Sequence, residues 1–202
     1  MNYDIYGPHR TAMEKTMAML VGKIEENSKS ESGEKIYEHL LYRIKDDASM
    51  REKLRRKGLQ ETAKNALRAV NDSIGIRIVC LFIDDVYTCV DRIKAIPGCA
   101  VVKEKDYIQN AKANGYRSYH IVIDVACDDV DVEGQMPGHF FVEIQLRTIA
   151  MDTWAALEHE LKYKKNIDNP ELIISELHRC ANDLAACDVS MQTLRRIIRE
   201  YK

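Results

Sequence analysis

The sequence predicts an α/β (α+β) fold, in which a mixed sheet of four or five strands is flanked by helices and followed by a long C-terminal helix. Three observations support this prediction. Runs rich in β-branched residues, such as SIGIRIVCLFI, alternate along the chain with segments of helical periodicity. The stretch FFVEIQLRT alternates apolar and polar residues with the two-residue period of a strand. From residue 170 onward, apolar residues recur at helical spacing up to the chain end.

The N-terminal part of the chain predicts a helix, a loop and one ambiguous segment. Residues 10–25 place Met13, Met17, Leu20 and Ile24 on one face, which is typical of an amphipathic helix. The polar stretch NSKSESGE predicts a loop. The next stretch, IYEHLLYRIK, is compatible with a strand, although its sequence also allows a helix.

Two further helices are predicted before the first buried strand. Ser49 and Glu52 have the spacing of a capping box, which predicts that a helix begins near Ser49. Gly58 is the expected stop signal of this helix. A second helix is predicted over residues 60–70, and the buried strand SIGIRIVCLFI follows it.

The following segments alternate between helix and strand. VYTCVDRIKAI predicts a helix that ends at Pro97 and Gly98, and CAVVKEKDYI predicts a strand. GYRSYHIVIDVA and FFVEIQLRT predict two more strands, with a turn at Pro137 and Gly138 that makes them antiparallel neighbours. A helix is then predicted over residues 149–165.

The final helix is predicted to begin at Asn169 and Pro170, since proline favours the first helical position. Two rows of residues recur every seven positions along it, namely Leu177, Leu184, Met191 and Ile198, and Ile173, Cys180, Cys187, Leu194 and Tyr201. This narrow seam predicts packing against another helix, although packing on its own domain remains possible. We therefore divide the chain into a domain at 1–168 and a helical oligomerisation tail at 169–202.

Composition excludes several classes of protein. The 202 residues are 46% hydrophobic and 31% charged, which is enough for one substantial core. The net charge of -2 gives no support for nucleic acid as a partner. The six cysteines include no C-x-x-C pair, so we expect reduced thiols rather than disulfides or zinc ligands. We expect a cytoplasmic protein, because no segment resembles a signal peptide or reaches the roughly 20 apolar residues of a membrane span.

Charged residues within or beside the predicted strands are candidates for a functional site. Glu143, Gln145 and Arg147 share the polar side of FFVEIQLRT, which could also be a sheet face open to water. Asp72 precedes a buried strand and could equally be a turn residue. Arg77 lies inside that strand, and an unpaired buried charge is costly. We therefore expect Arg77 to have either a structural carboxylate or an anionic or aromatic ligand as its partner.

Cations cluster around the predicted helix start. Arg43 and Lys45 share a face if their segment is a strand. Ser49 would place helix N-terminal amides nearby, and Lys53 lies one turn further along. These residues form a plausible phosphate cradle, although a solvated basic face is the alternative. No G-x-x-x-x-G-K-[ST] motif is present, which excludes a P-loop.

An aromatic residue completes the candidate set. Tyr116 follows Gly115 in the loop NGYRSYH, where it could stack on a flat ligand or pack within the loop. Phosphate-binding cations, a stacking tyrosine and two candidate metal carboxylates, Asp72 and Glu143, together suit phosphoryl chemistry on nucleotides.

Five motifs resemble, in order and spacing, the synthetase motifs of the RelA/SpoT family. They are RIKDDASMREKLRRKG, DSIGIR, KANGYRSYH, VEIQLRT and MDTWAALEHELKYK, and they cover roughly residues 36–165. The chain is similar to the small alarmone synthetases, the single-domain branch of the family, with a nucleotidyltransferase-like fold. The resemblance implies transfer of pyrophosphate from ATP to the 3′-hydroxyl of GTP or GDP. The products would be AMP and pppGpp or ppGpp, the signals of the stringent response.

The resemblance also implies roles for the motif residues of the ATP site. Arg43 and Arg77 would enclose the adenine. Lys45, Ser49 and Lys53 would hold the ATP phosphates.

The remaining motif residues are assigned to the metal and the acceptor. Asp72 and Glu143 would bind Mg²⁺, and Glu143 would also activate the 3′-hydroxyl. Tyr116 would stack on guanine. The rest of the implied acceptor site is Lys112, Asn114, His120 and Gln145.

The chain departs from the family pattern in small ways. The loop AKANGYRSYH lacks the prolines that the family often has beside the lysine and the leucine it often has before the histidine. DSIGIR has serine and isoleucine where isoleucine and alanine are common. No His-Asp dipeptide of the family's hydrolase half occurs, so we expect synthesis without hydrolysis. The resemblance further implies a homotetramer, in some members with a regulatory nucleotide in its central cleft.

Two other functions remain open at this level. One is a different purine nucleotide pyrophospho- or phosphotransferase on the same fold. The other is a non-catalytic sensor that binds a nucleotide or RNA.

Overall fold

A computed structural model describes residues 4–29, 35–163 and 170–201. Its elements are α1 (Arg10–Asn27), β1 (His39–Ile44), α2 (Asp47–Arg56), β2 (Ile74–Cys80), α3 (Ile83–Lys94), β3 (Cys99–Asp106), β4 (Tyr119–Cys127), β5 (Gly138–Thr148), α4 (Ile149–Tyr163) and α5 (Pro170–Glu200). The predicted loop NSKSESGE falls largely on residues 30–34, outside the described residues, as do residues 164–169 between α4 and α5. The α+β class and the long C-terminal helix are confirmed.

The five strands form one mixed sheet in the order β1-β2-β5-β4-β3. β2 and β5 run parallel, and the other neighbouring pairs are antiparallel. The ambiguous segment IYEHLLYRIK contains the edge strand β1, because its residues pair with the buried strand β2. The predicted antiparallel pairing of β4 with β5 is also confirmed.

The two faces of the sheet differ as the alternation in FFVEIQLRT predicts. Phe140, Val142, Ile144 and Leu146 are all buried in the main core. Helices α1 and α3 cover this apolar face. The opposite face of β5 carries Glu143 and the other polar residues, and the candidate site lies there.

The bend between β4 and β5 is built around a buried carboxylate. Asp131 accepts hydrogen bonds from two backbone amides of its own loop and one at the start of β5, and it pairs with the Arg68 side chain. Gly138 is required at this bend, because a Cβ atom there would lie 2.3 Å from the Asp129 carbonyl oxygen.

Two local predictions were wrong. The N-cap of α2 is Asp46, not Ser49: Asp46 has an extended backbone, and its carboxylate accepts a hydrogen bond of 2.9 Å from the Ser49 amide. The predicted helix over residues 60–70 is short and ends in a π-helical turn, Asn65–Ala69. Gly58 has a positive φ of 68° just beyond α2, as expected of a helix stop.

Helix α5 packs on the domain along one face. Ala181, Asp188 and Gln192 are buried there. Asp188 accepts a hydrogen bond of 2.6 Å from Thr148 at the end of β5, and Arg195 pairs with Asp85 of α3.

The two predicted heptad rows therefore do not share one environment. Leu177 and Leu184 are half-buried, and Leu184 lies with Trp154 of α4 around a small gap. Ile173 is also half-buried, and the exposed members of the rows are Cys180, Cys187, Met191, Leu194, Ile198 and Tyr201. The boundary at residue 168 stays a prediction. Among the described residues, no helix is both long and apolar enough to cross a membrane.

Candidate active site

Two cavities on the polar side of the sheet meet at a pair of carboxylates. The first cavity, of about 290 Å³, lies over β1, β2 and β5, and its charged lining residues include Arg43, Lys45 and Arg77. The second cavity, of about 500 Å³, lies between α2, β3 and β4. Asp72 and Glu143 line both cavities. If each cavity held one ligand, a group to be transferred from the first ligand could lie beside the group of the second ligand that accepts it.

The strand register brings the site residues together. β2 and β5 are parallel neighbours that pair Gly75 with Glu143 and Arg77 with Gln145. β4 adds His120 opposite Gln145 on the same face. Since Gly75 has no side chain, space remains beside Glu143, and an added Cβ there would meet only the Arg43 carbonyl oxygen, at 3.9 Å.

Asp72 is held by two lysines. Its Oδ2 atom lies 2.7 Å from Nζ of Lys45 and 2.5 Å from Nζ of Lys53. Burial raises the pKa of the Asp72 carboxyl, but the two lysines together lower it by more than burial raises it. The pKa is therefore below its usual value. Oδ1 of Asp72 is buried and has no hydrogen-bond partner among the described residues. An ionised carboxylate with one unsatisfied buried oxygen is a suitable ligand for a cation.

Glu143 receives polar contacts from both neighbouring strands. Gln145 Nε2 donates a hydrogen bond of 3.1 Å to Glu143 Oε2, and Nδ1 of His120 lies 3.5 Å from Oε1. Burial raises the pKa of the Glu143 carboxyl, but the contacts with His120 and Gln145 outweigh burial and lower the pKa below its usual value. Glu143 is therefore ionised near neutral pH.

The two carboxylates fit Mg²⁺ better than a metal bound only by protein. Among the described residues, no group of three or more His, Cys, Asp or Glu could hold a metal ion. Mg²⁺ in nucleotide enzymes is commonly held by one or two carboxylates together with substrate phosphates. Asp72 and Glu143 supply such a pair.

Tyr116 is half-buried in an aromatic cluster rather than exposed at a loop tip. Its ring contacts Tyr107, His120 and Trp154 edge to face. Nζ of Lys112 lies 4.6 Å from the centres of both the Tyr107 and the Tyr116 rings. A base that stacks on this side of Tyr116 must therefore displace the Lys112 ammonium.

The loop that carries Tyr116 is anchored at both ends. Asn114 accepts a hydrogen bond from the Tyr116 amide and donates one to Glu158 of α4. Gly115 has φ +89° and packs so closely on α5 that an added Cβ would lie 2.5 Å from Cβ of Ala181. Asn114 therefore positions the loop, and it is not among the residues that line either cavity.

Arg77 has a carboxylate partner, although its side chain is 38% exposed rather than buried. Nη1 lies 3.4 Å from Oδ1 of Asp152 in the first turn of α4, while its buried Nε has no hydrogen-bond partner among the described residues. Arg43 is exposed at the sheet edge and lines the first cavity beside Arg77. Ser49 is the one predicted phosphate ligand that lines neither cavity.

Several lining residues were missed by the sequence analysis. Lys103, Lys105 and Tyr107 face the second cavity together with Lys57. Lys103, Lys105 and Tyr107 recur at every second position in VVKEKDYI, so the periodicity used for FFVEIQLRT could have identified these three residues.

Comparison with known proteins agrees with this geometry. Residues 42–168, more than half of the chain, match the model of the region found in RelA/SpoT proteins. GTP pyrophosphokinase YwaC of Bacillus subtilis is 40% identical over 159 residues, which cover 79% of this chain and 74% of that protein.

Solved structures extend the likeness to the fold. Small alarmone synthetase 2 of Bacillus subtilis is similar with a TM-score of 0.79 and 34% identity, covering 92% of this chain and 95% of that one. Small alarmone synthetase 1 of the same organism, bound to its product pppGpp, gives a TM-score of 0.76 and 34% identity, covering 95% and 94%. The chain therefore belongs to the RelA/SpoT family, within which it is a small alarmone synthetase.

Proposed function

We propose that the protein transfers pyrophosphate from ATP to the 3′-hydroxyl of GTP or GDP, releasing AMP and forming pppGpp or ppGpp. The observation that carries this proposal is the meeting of two cavities at Asp72 and Glu143. A two-substrate transfer requires such a boundary, because the attacked phosphorus and the attacking oxygen must approach within about 3–3.5 Å. The pppGpp bound to the similar synthetase from Bacillus subtilis supports the same chemistry.

ATP would occupy the first cavity. Arg43 and Arg77 lie where they can contact the adenine, and Lys45 lines the same cavity. Lys45 and Lys53 would turn from Asp72 toward the ATP phosphates, since both ammonium groups already lie at the boundary. The backbone amide of Ser49 already bonds to Asp46, so a phosphate role for Ser49 would rest on its hydroxyl.

GTP or GDP would occupy the second cavity. Tyr116 would stack on the guanine once Lys112 leaves its ring, and Lys112 would then be free to pair with a phosphate. His120 and Gln145 hold Glu143, which would accept the proton of the 3′-hydroxyl. Mg²⁺ held by Asp72 and Glu143 would supply charge neutralisation at the transferred group. The cytoplasm, where ATP and GTP are available, is the expected compartment.

Product analysis tests this proposal. Labelled ATP should yield AMP only when Mg²⁺ and a guanine nucleotide are both present, and pppGpp or ppGpp should accumulate without being hydrolysed. Formation of ADP and a singly phosphorylated acceptor would instead identify an ordinary phosphotransferase. Nucleotide binding without any AMP release would favour the sensor function.

Replacing Tyr116 should mainly weaken binding of the acceptor nucleotide. We expect Tyr116→Ala to raise the acceptor KM by an amount equivalent to about 1–3 kcal/mol, the value of a base stacked on an aromatic side chain. The ATP KM should change much less. Tyr116→Phe is the matched control for the acceptor KM alone, because it retains the ring while losing the hydroxyl that contacts His120 and Arg147. If the acceptor KM of Tyr116→Ala is unchanged at fixed ATP, Tyr116 does not stack on the guanine and only packs within its loop.

We propose that the protein assembles as a homotetramer through the outer side of α5, with a regulatory nucleotide in the central cleft, as the family resemblance implies. The support is a set of exposed apolar side chains on the last turns of α5, Met191, Leu194, Ile197, Ile198 and Tyr201. Apolar residues concentrated on one helix surface mark an interaction site.

Disrupting this surface should change the mass of the protein. Met191→Glu combined with Ile198→Glu should dissociate the assembly, because like charges would be buried at the interface. Light scattering at micromolar concentration measures the effect. Thr11→Glu combined with Ala18→Glu is the matched control, because it adds the same charge at the same spacing on exposed positions of α1. A wild-type monomer, or an unchanged mass in the apolar-to-Glu variant, would contradict this interface. Leu184 is unsuitable for the test, since it packs toward α4.

A further inference from the structure

Arg147 is a buried guanidinium beside the candidate site that the proposed chemistry does not use. Its side chain is 6% exposed, and its neighbours lie on three elements. Nη2 donates to Oη of Tyr116 at 2.7 Å and to Oε1 of Gln145 at 2.9 Å. Nη1 donates to Oδ1 of Asp152 at 3.0 Å. The two hydrogens of Nη2 thus serve two residues of the proposed acceptor site.

Two chains of hydrogen bonds, here called arms, lead from Arg147 toward Glu143. The first arm runs from Arg147 through Tyr116 to His120. Because a guanidinium can only donate, the Tyr116 oxygen must accept from Arg147. The single hydroxyl proton of Tyr116 is then available to Nε2 of His120, 2.8 Å away. A neutral His120 that accepts at Nε2 carries its proton on Nδ1, the nitrogen that faces Glu143.

The second arm runs through Gln145. Its Oε1 accepts from Arg147, which orients the amide so that its Nε2 donates to Oε2 of Glu143. Both arms therefore begin at donors of Arg147 and end at the two carboxylate oxygens of Glu143. The five side chains close a ring of four hydrogen bonds and one longer contact, the 3.5 Å between Nδ1 of His120 and Oε1 of Glu143.

Asp152 holds the ring in place from the other side. Its Oδ1 accepts from Arg147 and also lies 3.4 Å from Nη1 of Arg77 in the first cavity. The carboxylate compensates the cost of burying the guanidinium, which would otherwise be high. It also joins the ring to the residue proposed to contact adenine.

We infer that Arg147 is a positioning residue, which fixes the His120 tautomer and the Gln145 amide so that both present an N–H group to Glu143 while Tyr116 is held for the acceptor. This inference rests on the proposed roles of Glu143 and Tyr116. Arg147 lines neither of the two cavities in which the substrates would bind. It links acceptor recognition to the proposed base through these two hydrogen-bonded arms.

Arg147→Lys separates this role from that of a structural ion pair. Lysine keeps the charge beside Asp152, but its single ammonium lacks the planar fork needed to hold both arms. We expect kcat to fall by about 10- to 100-fold, the range for losing a hydrogen bond to a charged group. The ATP KM should change by less than about threefold. The melting temperature reports any loss of folding separately.

Arg195→Lys is the matched control. Arg195 also pairs with a carboxylate, Asp85, and its guanidinium carbon lies 4.3 Å over the Phe82 ring, yet it lines neither cavity. An equal loss of kcat in both variants would mean that any buried arginine has this effect and would overturn the inference.

Mutant cycles test the two arms directly. Tyr116→Phe cuts the first arm and Gln145→Leu cuts the second. Losses in kcat caused by Arg147→Lys should be smaller in either background than in the wild type. Independent residues multiply their losses to within about twofold, and that result would overturn the inference.

A further cycle remains decisive if Arg147→Lys does not fold. Tyr116→Phe and Gln145→Leu should lose less together than the product of their separate losses, because both arms act on the same carboxylate. Full multiplication would overturn the inference. The proposed function fails separately, if wild-type protein releases no AMP or if Glu143 proves dispensable.

Discussion

Glu143→Gln should release AMP at least about a hundredfold more slowly than the wild type, which is the scale of lost acid–base catalysis. The substitution preserves shape and removes the charge at the boundary of the two cavities. The amide cannot accept the proton of the 3′-hydroxyl, and it is a weaker metal ligand than a carboxylate. The new amide has one carbonyl oxygen, so only one of the two donors, His120 or Gln145, keeps an acceptor there, while the NH2 group faces the other.

Binding measurements distinguish this result from damage to the site. ATP and GTP should still bind Glu143→Gln, since their proposed contacts are made by other residues. Glu26→Gln is a suitable control, because Glu26 is exposed on α1 and lies on the other side of the sheet. Near-normal turnover in Glu143→Gln would end the assignment of Glu143 as base.

The residues on β5 show how far a sequence can define such a site. The two-residue period of FFVEIQLRT predicted both the buried side and the polar side, because a strand has only two faces. The same argument placed Glu143 and Gln145 together. It could not indicate that Arg147 would be buried, since this depends on α4 supplying Asp152 against it.

Helix ends and helix faces were harder to predict. The capping-box spacing of Ser49 predicted the wrong start for α2, because the N-cap is Asp46, whose extended backbone this spacing does not indicate. The heptad rows lie on one helix, α5, but sequence spacing cannot indicate which of its residues the domain itself covers. Ala181, Asp188 and Gln192 face the domain, and two of these three are polar. Their burial depends on Thr148 and Asp84, which are distant in sequence.

Asp72→Asn is the second change from which we expect AMP release to slow by at least about a hundredfold. The reason is that a catalytic metal lowers the free energy of the charged transition state by several kcal/mol. Asp72 contributes a carboxylate with a buried oxygen that has no hydrogen-bond partner among the described residues, and it also holds Lys45 and Lys53 in place. Asparagine would retain the size of the side chain while weakening both interactions.

The Mg²⁺ dependence gives this prediction a distinctive signature. Asp72→Asn should require a higher Mg²⁺ concentration for half-maximal AMP release. Without Mg²⁺, however, it should bind ATP at least as tightly as the wild type, since Lys45 and Lys53 would no longer be paired with a carboxylate. Removing a negative charge beside the phosphates would also strengthen ATP binding, because it removes a repulsion between like charges. Asp91→Asn, an exposed position on α3, controls for the loss of charge alone. An unchanged Mg²⁺ requirement with normal turnover would mean that Asp72 serves only to pair the two lysines.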